Sequence, residues 1–186
     1  MNRFSEFQMK ILVFCFLSQL VFATACSKET SNSSGSVNTN SPATPPAAKI
    51  RSSADVVKAK AADVSISAGG NADAEVTLSI SPGFHVNANP ATFSYLIATE
   101  VTAGNVEGIT AGKPAYPAPV KKKFQFADQP LAVYEGEAPI KLNLRADKNA
   151  ATGPRSLPIT VTVQACDEEQ CFPPAPLKST VSVIVK

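Results

Sequence analysis

Two cysteines near the end of the sequence, Cys166 and Cys171, are the residues best suited to chemistry. An alternating apolar run over residues 159–165 leads into the first cysteine, and a second such run closes the chain. This pattern predicts a β-hairpin with the cysteines at the mouth of a short loop. Residues opposite each other in antiparallel strands have Cα atoms about 4.5 to 5.5 Å apart, within disulfide range. A disulfide between the two is therefore geometrically easy.

A bridge across so short a loop stabilises a fold only weakly. In the chain-entropy model a closed loop of about six residues contributes about 2 kcal/mol, and one of about 60 residues about 2 kcal/mol more. Labile, regulatory and catalytic disulfides tend to be exposed or strained. The spacing alone leaves two interpretations open, which are a redox-active pair and a local structural disulfide of an exported domain.

The loop between the cysteines is acidic, with Asp167, Glu168 and Glu169 in succession. Negative charge beside a sulfur disfavours the thiolate and raises the pKa of a cysteine. Because this destabilises the reduced, partly ionised form, it makes the disulfide relatively more stable. The sequence therefore predicts an electron donor rather than a strong oxidant.

His85 is the one histidine of the sequence. It is either a strand histidine hydrogen-bonded near a turn or a donor that lines the cysteine site. The pattern identifies no serine–histidine–aspartate triad. Two cysteines and one histidine fall short of the four ligands of a structural zinc site, and Cu(I) held by two thiolates remains the metal alternative. The sequence predicts no resident metal and no cofactor.

The N-terminus has the features of an export signal, predicted over residues 1–25. An apolar stretch of about twelve residues follows Arg3 and Lys10, which is too short for a bilayer and suits a signal peptide. Residues 23–26, Ala-Thr-Ala-Cys, resemble the lipobox of bacterial lipoproteins. By that resemblance Cys26 is lipidated and anchors the protein to a membrane, and Ser27 after it favours the outer over the inner membrane. The alternative is ordinary signal cleavage with an incidental cysteine.

Residues 26–48 are predicted to form a flexible polar tether, and residues 49–186 a single domain. The tether is rich in Ser, Asn, Thr, Pro and Ala, and buries too little apolar surface to offset the entropy of ordering. A flexible chain of this length spans roughly 25 Å and would hold the domain clear of a membrane. The formal net charge of +2 is spread along the chain, so nucleic acid is not an expected partner.

The domain has the period-two pattern of half-buried strands, as in Val76, Leu78 and Ile80. Turn signals such as Pro82-Gly83 separate the runs, and the fifteen prolines spread along the whole chain oppose long helices. Several short strands at roughly ten-residue spacing predict an all-β, immunoglobulin-like antiparallel β-sandwich.

Two segments of the domain are less regular. Residues 55–62 fit either a short helix or a first strand. Pro114, Pro117 and Pro119 predict a long irregular connection in the middle of the domain.

Residues 164–174, QACDEEQCFPP, resemble the cysteine hairpin in the N-terminal periplasmic domain of the thiol:disulfide interchange protein DsbD. That family also has Gln and a small residue before the first cysteine, and an aromatic and two prolines after the second. Residues 82–87, PGFHVN, look like an early strand of such domains, and residues 131–137, LAVYEGE, resemble their cap-loop region. Together the matches extend over about residues 81–186.

The resemblance implies an immunoglobulin-like fold and an electron relay through Cys166 and Cys171, with partners engaging Cys171. Tyr134 matches the cap aromatic that shields the family's disulfide. His85 falls near tyrosines that line the family's site, and Phe172 is the aromatic after the second cysteine. The expected function is thiol–disulfide exchange in the cell envelope, as a protein oxidoreductase of reductase type.

The chain departs from the family in two ways that bear on this function. The better-known members place one more residue between their cysteines. The sequence also ends after the domain, so the relay is expected to use a separate membrane thiol reductase and periplasmic thioredoxin-like proteins. The competing interpretation is a non-enzymatic binding or scaffolding lipoprotein whose hairpin disulfide is structural.

Overall fold

A computed structural model describes residues 52–186. The predicted signal peptide, Cys26, the tether over residues 26–48 and the first residues of the predicted domain lie outside the described residues, so those expectations stay predictions. Within residues 52–186, no helix has the length and apolar character needed to cross a membrane.

The described residues form one 3-10 turn and twelve strands, arranged in three four-stranded sheets. The 3-10 turn is Ser53–Asp55, and the strands in chain order are β1 (Val57–Ala61), β2 (Val64–Ile66), β3 (Asn71–Ile80), β4 (His85–Asn87), β5 (Glu100–Ala103), β6 (Ile109–Ala115), β7 (Val120–Lys122), β8 (Leu131–Tyr134), β9 (Glu137–Ala146), β10 (Gly153–Val163), β11 (Ala165–Cys166) and β12 (Ala175–Val185).

Two of the sheets make a sandwich around the main hydrophobic core. Their strand orders are β1-β3-β9-β6 and β2-β12-β10-β5, and the pairings are antiparallel except that of β2 with β12. The inward side chains of both sheets share one buried cluster, which includes Leu78, Ile140, Ile159 and Val181. The predicted immunoglobulin-like sandwich is confirmed.

Strand β9 shows how the sequence pattern produces this packing. Its residues alternate between exposed and buried along the whole strand, with Ile140, Leu142 and Leu144 on the buried face. Successive side chains of a strand point to opposite faces, so one apolar residue in two is enough to line a core. Burying each such side chain contributes about 1.5 to 3 kcal/mol.

The structure shows which interpretation holds for each of the two less regular segments. After the 3-10 turn the chain enters β1, where Val57 pairs with Ile80, so the first-strand alternative for residues 55–62 is correct. The predicted long central connection is wrong, because Pro114 lies inside β6 and only residues 116–119 separate β6 from β7. β6 is an edge strand with a register shift between Ala111 and Pro114, and proline is tolerated at such positions.

The third sheet, with the order β11-β4-β8-β7, carries the cysteines. Strand β10 ends at Val163, and after Gln164 the chain enters β11, which pairs with β4 rather than with a sandwich strand. This change of sheet takes the cysteine hairpin away from the sandwich and places it beside β4 and β8.

Candidate functional site

Cys166 and Cys171 form a disulfide at the tip of the hairpin, with a Cα–Cα distance of 3.9 Å. The two residues lie directly opposite each other as an antiparallel bridge. Within the loop, the Asp167 N–H donates to the Gln170 carbonyl at 2.9 Å. The tight hairpin with cysteines at its mouth, expected from the sequence, is present.

The two cysteines differ in exposure. Cys166 is 0 % exposed, whereas Cys171 is half-buried. An incoming thiolate must approach a sulfur along the S–S axis, so solvent access decides which sulfur is attacked. Cys171 is therefore the more accessible residue of the pair, and its engagement by partners stays a prediction.

A turn positions His85 opposite the first cysteine. The Phe84 N–H donates to the Ser81 carbonyl at 3.1 Å, with Pro82 and Gly83 at the two central positions. Gly83 has φ of 84°, which favours glycine, and this is the residue arrangement of a type II turn. The chain then enters β4, where His85 pairs with Cys166 of β11.

The register of the third sheet sorts its side chains onto two faces. Cys166 and His85 are a cross-strand pair, so their side chains share one face. Val86 points the other way and pairs with Tyr134 on β8 and with Ala165 on β11. The Val86, Tyr134 and Ala165 face packs into the main core.

The face that carries Cys166 and His85 is covered by a second, smaller apolar cluster. The ring of Phe124, 1 % exposed, stacks on the His85 imidazole with centroids 3.9 Å apart and an interplanar angle of 22°. The other members of this cluster are Ala127, Leu131 and Val133, with Phe93 and Leu96 packed against them. The imidazole thus lies between Phe124 and the sheet.

His85 is buried without hydrogen bonds. It is 0 % exposed, and neither ring nitrogen has a partner among the described residues. Desolvation is the main cause that lowers the pKa of His85 from 6.5 to about 4, and the charge of Lys122 adds to it. Nearby carboxylates act in the opposite direction, namely Glu135, Glu168 and Asp167. The imidazole is therefore neutral at neutral pH.

This burial predicts a loss of stability in acid. Between about pH 6.5 and pH 4, the unfolded chain binds a proton on His85 that the native protein does not, so the free energy of unfolding falls as the pH falls. The contribution is roughly 3 kcal/mol and is fully lost only about one pH unit below the native pKa of about 4. Urea unfolding at several pH values should show it in the parent protein and not in His85→Phe. An equal pH dependence in both would contradict the assignment.

Lys122 joins three parts of the site by ion pairs. Its Nζ lies 2.8 Å from Oε1 of Glu135, in the turn between β8 and β9, and 3.0 Å from Oε1 of Glu168, in the cysteine loop. It also lies 5.5 Å from the centroid of Phe124. These hydrogen bonds raise the pKa of Lys122. Because the three charged groups are partly exposed, their pairing orients the loop more than it stabilises the fold.

The acidic residues of the cysteine loop are largely engaged. The Oδ1 atom of Asp167 accepts the backbone N–H groups of Glu169 and Gln170, each at 2.8 Å, and Glu168 pairs with Lys122. The negative charge beside the sulfurs is therefore partly compensated by a cation and by backbone dipoles. The reducing potential expected from that charge stays a prediction.

Tyr134 lies away from the disulfide, on the face of the third sheet that joins the main core. It is 3 % exposed, and its Oη accepts the Asn89 N–H at 3.1 Å. Burial raises its pKa. This placement differs from the expected cover over the disulfide, because β8 presents Tyr134 and Val133 to opposite faces. On the face that carries the cysteines, the aromatic ring that stacks on His85 is that of Phe124. Phe124 follows a run of lysines and lies outside the strands, so the sequence did not mark it as a site residue.

Phe172 is half-buried directly after Cys171. Its ring lies 5.9 Å from that of Phe84, the residue before His85, in a tilted arrangement. Its N–H donates to the Ala165 carbonyl at 2.8 Å. The structure thus places His85 and Phe172 beside the cysteine hairpin, and their role in lining the site stays a prediction.

Ser53 was not predicted, yet it holds the base of the hairpin. It is fully buried, and its Oγ donates to the Pro173 carbonyl at 2.8 Å and accepts the Ala165 N–H at 2.8 Å. One side chain thereby ties together the two arms that flank the cysteines. A serine in a short polar segment carries no sequence signal for this role, which depends on a contact more than a hundred residues away in the chain.

Comparison with known protein families identifies the family of this domain. The family described as thiol:disulfide interchange protein DsbD, N-terminal, matches residues 53–182. The chain belongs to this family. No curated protein matches the chain. Residues 53–182 contain both cysteines and nearly the whole described domain, so this DsbD-type domain includes the complete third sheet.

Matches among solved structures include the following three domains. The reduced N-terminal domain of DsbD from Neisseria meningitidis is 19 % identical, with 62 % of this chain and 80 % of that chain covered and a TM-score of 0.41. The N-terminal periplasmic domain of ScsB from Proteus mirabilis is 17 % identical, with 67 % and 44 % covered and a TM-score of 0.43. A cohesin from Pseudobacteroides cellulosolvens is 8 % identical, with 70 % and 92 % covered and a TM-score of 0.43.

The family and the disulfide together define the chemistry. A DsbD-type domain with its paired cysteines joined at the tip of a hairpin is a thiol–disulfide exchange module. Within residues 52–186 no group of three or more potential metal ligands is present.

Proposed function

We propose that this DsbD-type domain relays electrons in the cell envelope as a protein thiol–disulfide oxidoreductase. It would accept electrons from a membrane thiol reductase and pass them to periplasmic thioredoxin-like proteins. The observation that carries the proposal is the Cys166–Cys171 disulfide, with one fully buried and one half-buried cysteine, in a domain of this family.

The exposure of the sulfurs suggests the order of steps. To deliver electrons, the Cys171 thiolate attacks the partner's disulfide, which forms a mixed disulfide and releases one partner thiolate. The Cys166 thiolate then attacks the Cys171 sulfur, re-forms the internal disulfide and releases the second partner thiolate. Two electrons and two protons pass to the partner. Loading from the reductase is the reverse sequence.

Phe124 and its cluster are proposed to limit adventitious exchange. They cover His85, the cross-strand neighbour of Cys166, and the Lys122–Glu168 ion pair restrains the cysteine loop. Tyr134 and Phe172 would support the hairpin from the core side. A partner that displaces the Glu168 contact would gain access to Cys171 without disturbing the main core.

We also propose that the protein is periplasmic and held to the outer membrane through a lipid on Cys26. Domains of this family are periplasmic, and residues 26–48 have the composition of a flexible tether. The mature protein is expected to fractionate with membranes and to carry a lipid mass on its first residue. A Cys26→Ser variant should lose both properties, and recovery of the unmodified variant in the membrane fraction would oppose the lipid anchor.

Redox titration with thiol trapping tests the relay. The purified full chain with Cys15→Ser and Cys26→Ser is equilibrated in buffers of graded thiol–disulfide ratio, and free thiols are alkylated and counted by mass. The expected result is one two-electron transition in which both thiols appear together, and reduction by a thioredoxin-like partner within minutes. If the folded protein keeps its disulfide against both small dithiols and such a partner, the relay is excluded and the disulfide is structural.

A further inference from the structure

We propose that His85 is the base that accepts the proton of Cys166 when this buried cysteine attacks to close the internal disulfide. This role rests on the proposed function, which requires Cys166 to act as a thiolate. The exchange steps do not name the group that takes the proton of the Cys166 thiol, and the proposal assigns that proton to His85.

The first observation is the pairing of the two residues. His85 and Cys166 lie directly opposite each other in the register of β4 and β11. Side chains of such a pair project from the same face, with Cβ atoms about 4.5 to 5.5 Å apart. The imidazole and the sulfur of a freed Cys166 therefore project from neighbouring positions on the same face, and rotation of the freed thiol about its Cα–Cβ bond changes the direction of its S–H relative to the imidazole.

The second observation is that the imidazole lacks other partners. Both ring nitrogens of His85 are buried and unpaired, although a buried polar group of this kind ordinarily finds a hydrogen bond. The stacked Phe124 ring and the apolar cluster beside it offer no acceptor or donor for these nitrogens. In the oxidised protein the opposite residue is a disulfide sulfur without a proton. Reduction converts that sulfur into a thiol, and the neutral imidazole then has a proton donor.

The surrounding charges suit a base that is free at rest and stabilised once protonated. Lys122 on β7 disfavours the imidazolium, and burial does so more strongly. Glu135 in the β8–β9 turn and the carboxylates of the cysteine loop, Asp167 and Glu168, favour it. A thiolate formed at Cys166 adds a further negative charge beside the ring. Histidine paired with cysteine is a general way to activate a buried sulfur nucleophile.

The proton balance of the closing step follows from this arrangement. His85 takes the proton from Cys166 as its sulfur attacks Cys171 in the mixed disulfide. The Cys166–Cys171 bond forms, the bond to the partner breaks, and the partner sulfur leaves as a thiolate. The proton then passes from the imidazolium to solvent and is matched by the proton that the partner thiolate takes up, so that the attacking and closing steps together deliver two electrons and two protons to the partner.

The test separates the attacking step from the closing step. The full chain with Cys15→Ser and Cys26→Ser, which leaves Cys166 and Cys171 as its two cysteines, is reduced, freed of reductant and mixed with a chromogenic bis-nitrobenzoate disulfide. Attack by Cys171 releases the first coloured thiolate, and closure by Cys166 releases the second. The variant His85→Phe keeps a ring to stack on Phe124, and His85→Gln keeps a polar group that does not take up protons. Both variants should slow the second release at least about tenfold at neutral pH and leave the first within about twofold.

The pH profile supplies a readout that a packing role would not change. With a base of low pKa present, the second release should be nearly constant between about pH 5 and pH 8. Without it, the rate should rise about tenfold per pH unit toward the ordinary thiol pKa of about 8.5. Wild-type closure rates and profiles in both variants would overturn the proposal, as would equal slowing of both releases. If instead no partner protein reduces the disulfide, the relay fails while this reaction of the chemically reduced protein still reports on His85.

Discussion

A Cys166→Ser variant is expected to accumulate a stable mixed disulfide with a thioredoxin-like partner, whereas a Cys171→Ser variant should form none. In the first variant the half-buried Cys171 still attacks or is attacked, but no second sulfur resolves the adduct. In the second, the remaining Cys166 is fully buried and a partner's sulfur cannot approach it in line. Both variants lose two-electron transfer completely.

Non-reducing electrophoresis and mass analysis of the adduct measure this difference. The control is stability, because each variant loses the same short-loop disulfide and should unfold with a free energy about 2 kcal/mol below the parent. If the two variants lose the same stability but trap the partner to different extents, the difference is due to the accessibility of the remaining cysteine and not to folding. An adduct at Cys166 in the Cys171→Ser variant, and none in the other, would reverse the assigned order of attack.

The hairpin and the sandwich were predictable because their signals are local. The alternation in β9 and β12 and the Pro82-Gly83 turn depend only on neighbouring residues, and the cysteine loop is bounded by two such strands. The central prolines misled the prediction, since a bulged edge strand absorbs Pro114 without a broken pairing. A run of residues does not reveal whether its strand is central or at an edge.

The cover over the site was not predictable, because it depends on which face each strand presents. Tyr134 and Val133 are adjacent, and only the register with β4 decides that Val133 faces the cysteines and Tyr134 faces the core. Phe124 reaches His85 from a segment with no strand of its own. Ser53 reaches the hairpin from the far end of the domain. Contacts of this kind arise from tertiary packing and leave no periodic pattern.

The site differs from an ordinary apolar core in two buried groups that can carry out proton and sulfur chemistry. A buried imidazole without partners and a buried half-disulfide occupy facing positions of two short strands, at a location that apolar side chains would fill with less cost. The main core holds no such group on the corresponding faces of β9 and β10. The groups suited to proton and sulfur chemistry are therefore on the third sheet and not on these two sandwich strands.

The variant Phe124→Ala is expected to both destabilise the protein and expose the disulfide. Removing a buried phenylalanine costs about 3 to 5 kcal/mol when the site does not collapse, and Phe124 is the largest side chain of the second cluster. Its loss also uncovers the face of the sheet that carries His85 and Cys166. Reduction by a small dithiol should then be faster by about tenfold or more, since access limits exchange at a buried sulfur.

Phe126 offers a matched control two residues away in the same segment. It is 41 % exposed and stacks on Phe124 with ring centroids 5.4 Å apart, so Phe126→Ala removes a similar side chain from the outer side of the cover. Its effect on stability should stay within about 1 kcal/mol, and its reduction rate within about twofold of the parent. Urea unfolding and the kinetics of dithiol reduction measure both quantities. If the two variants are reduced equally fast, the protection of the disulfide comes from the hairpin itself and not from the Phe124 cluster.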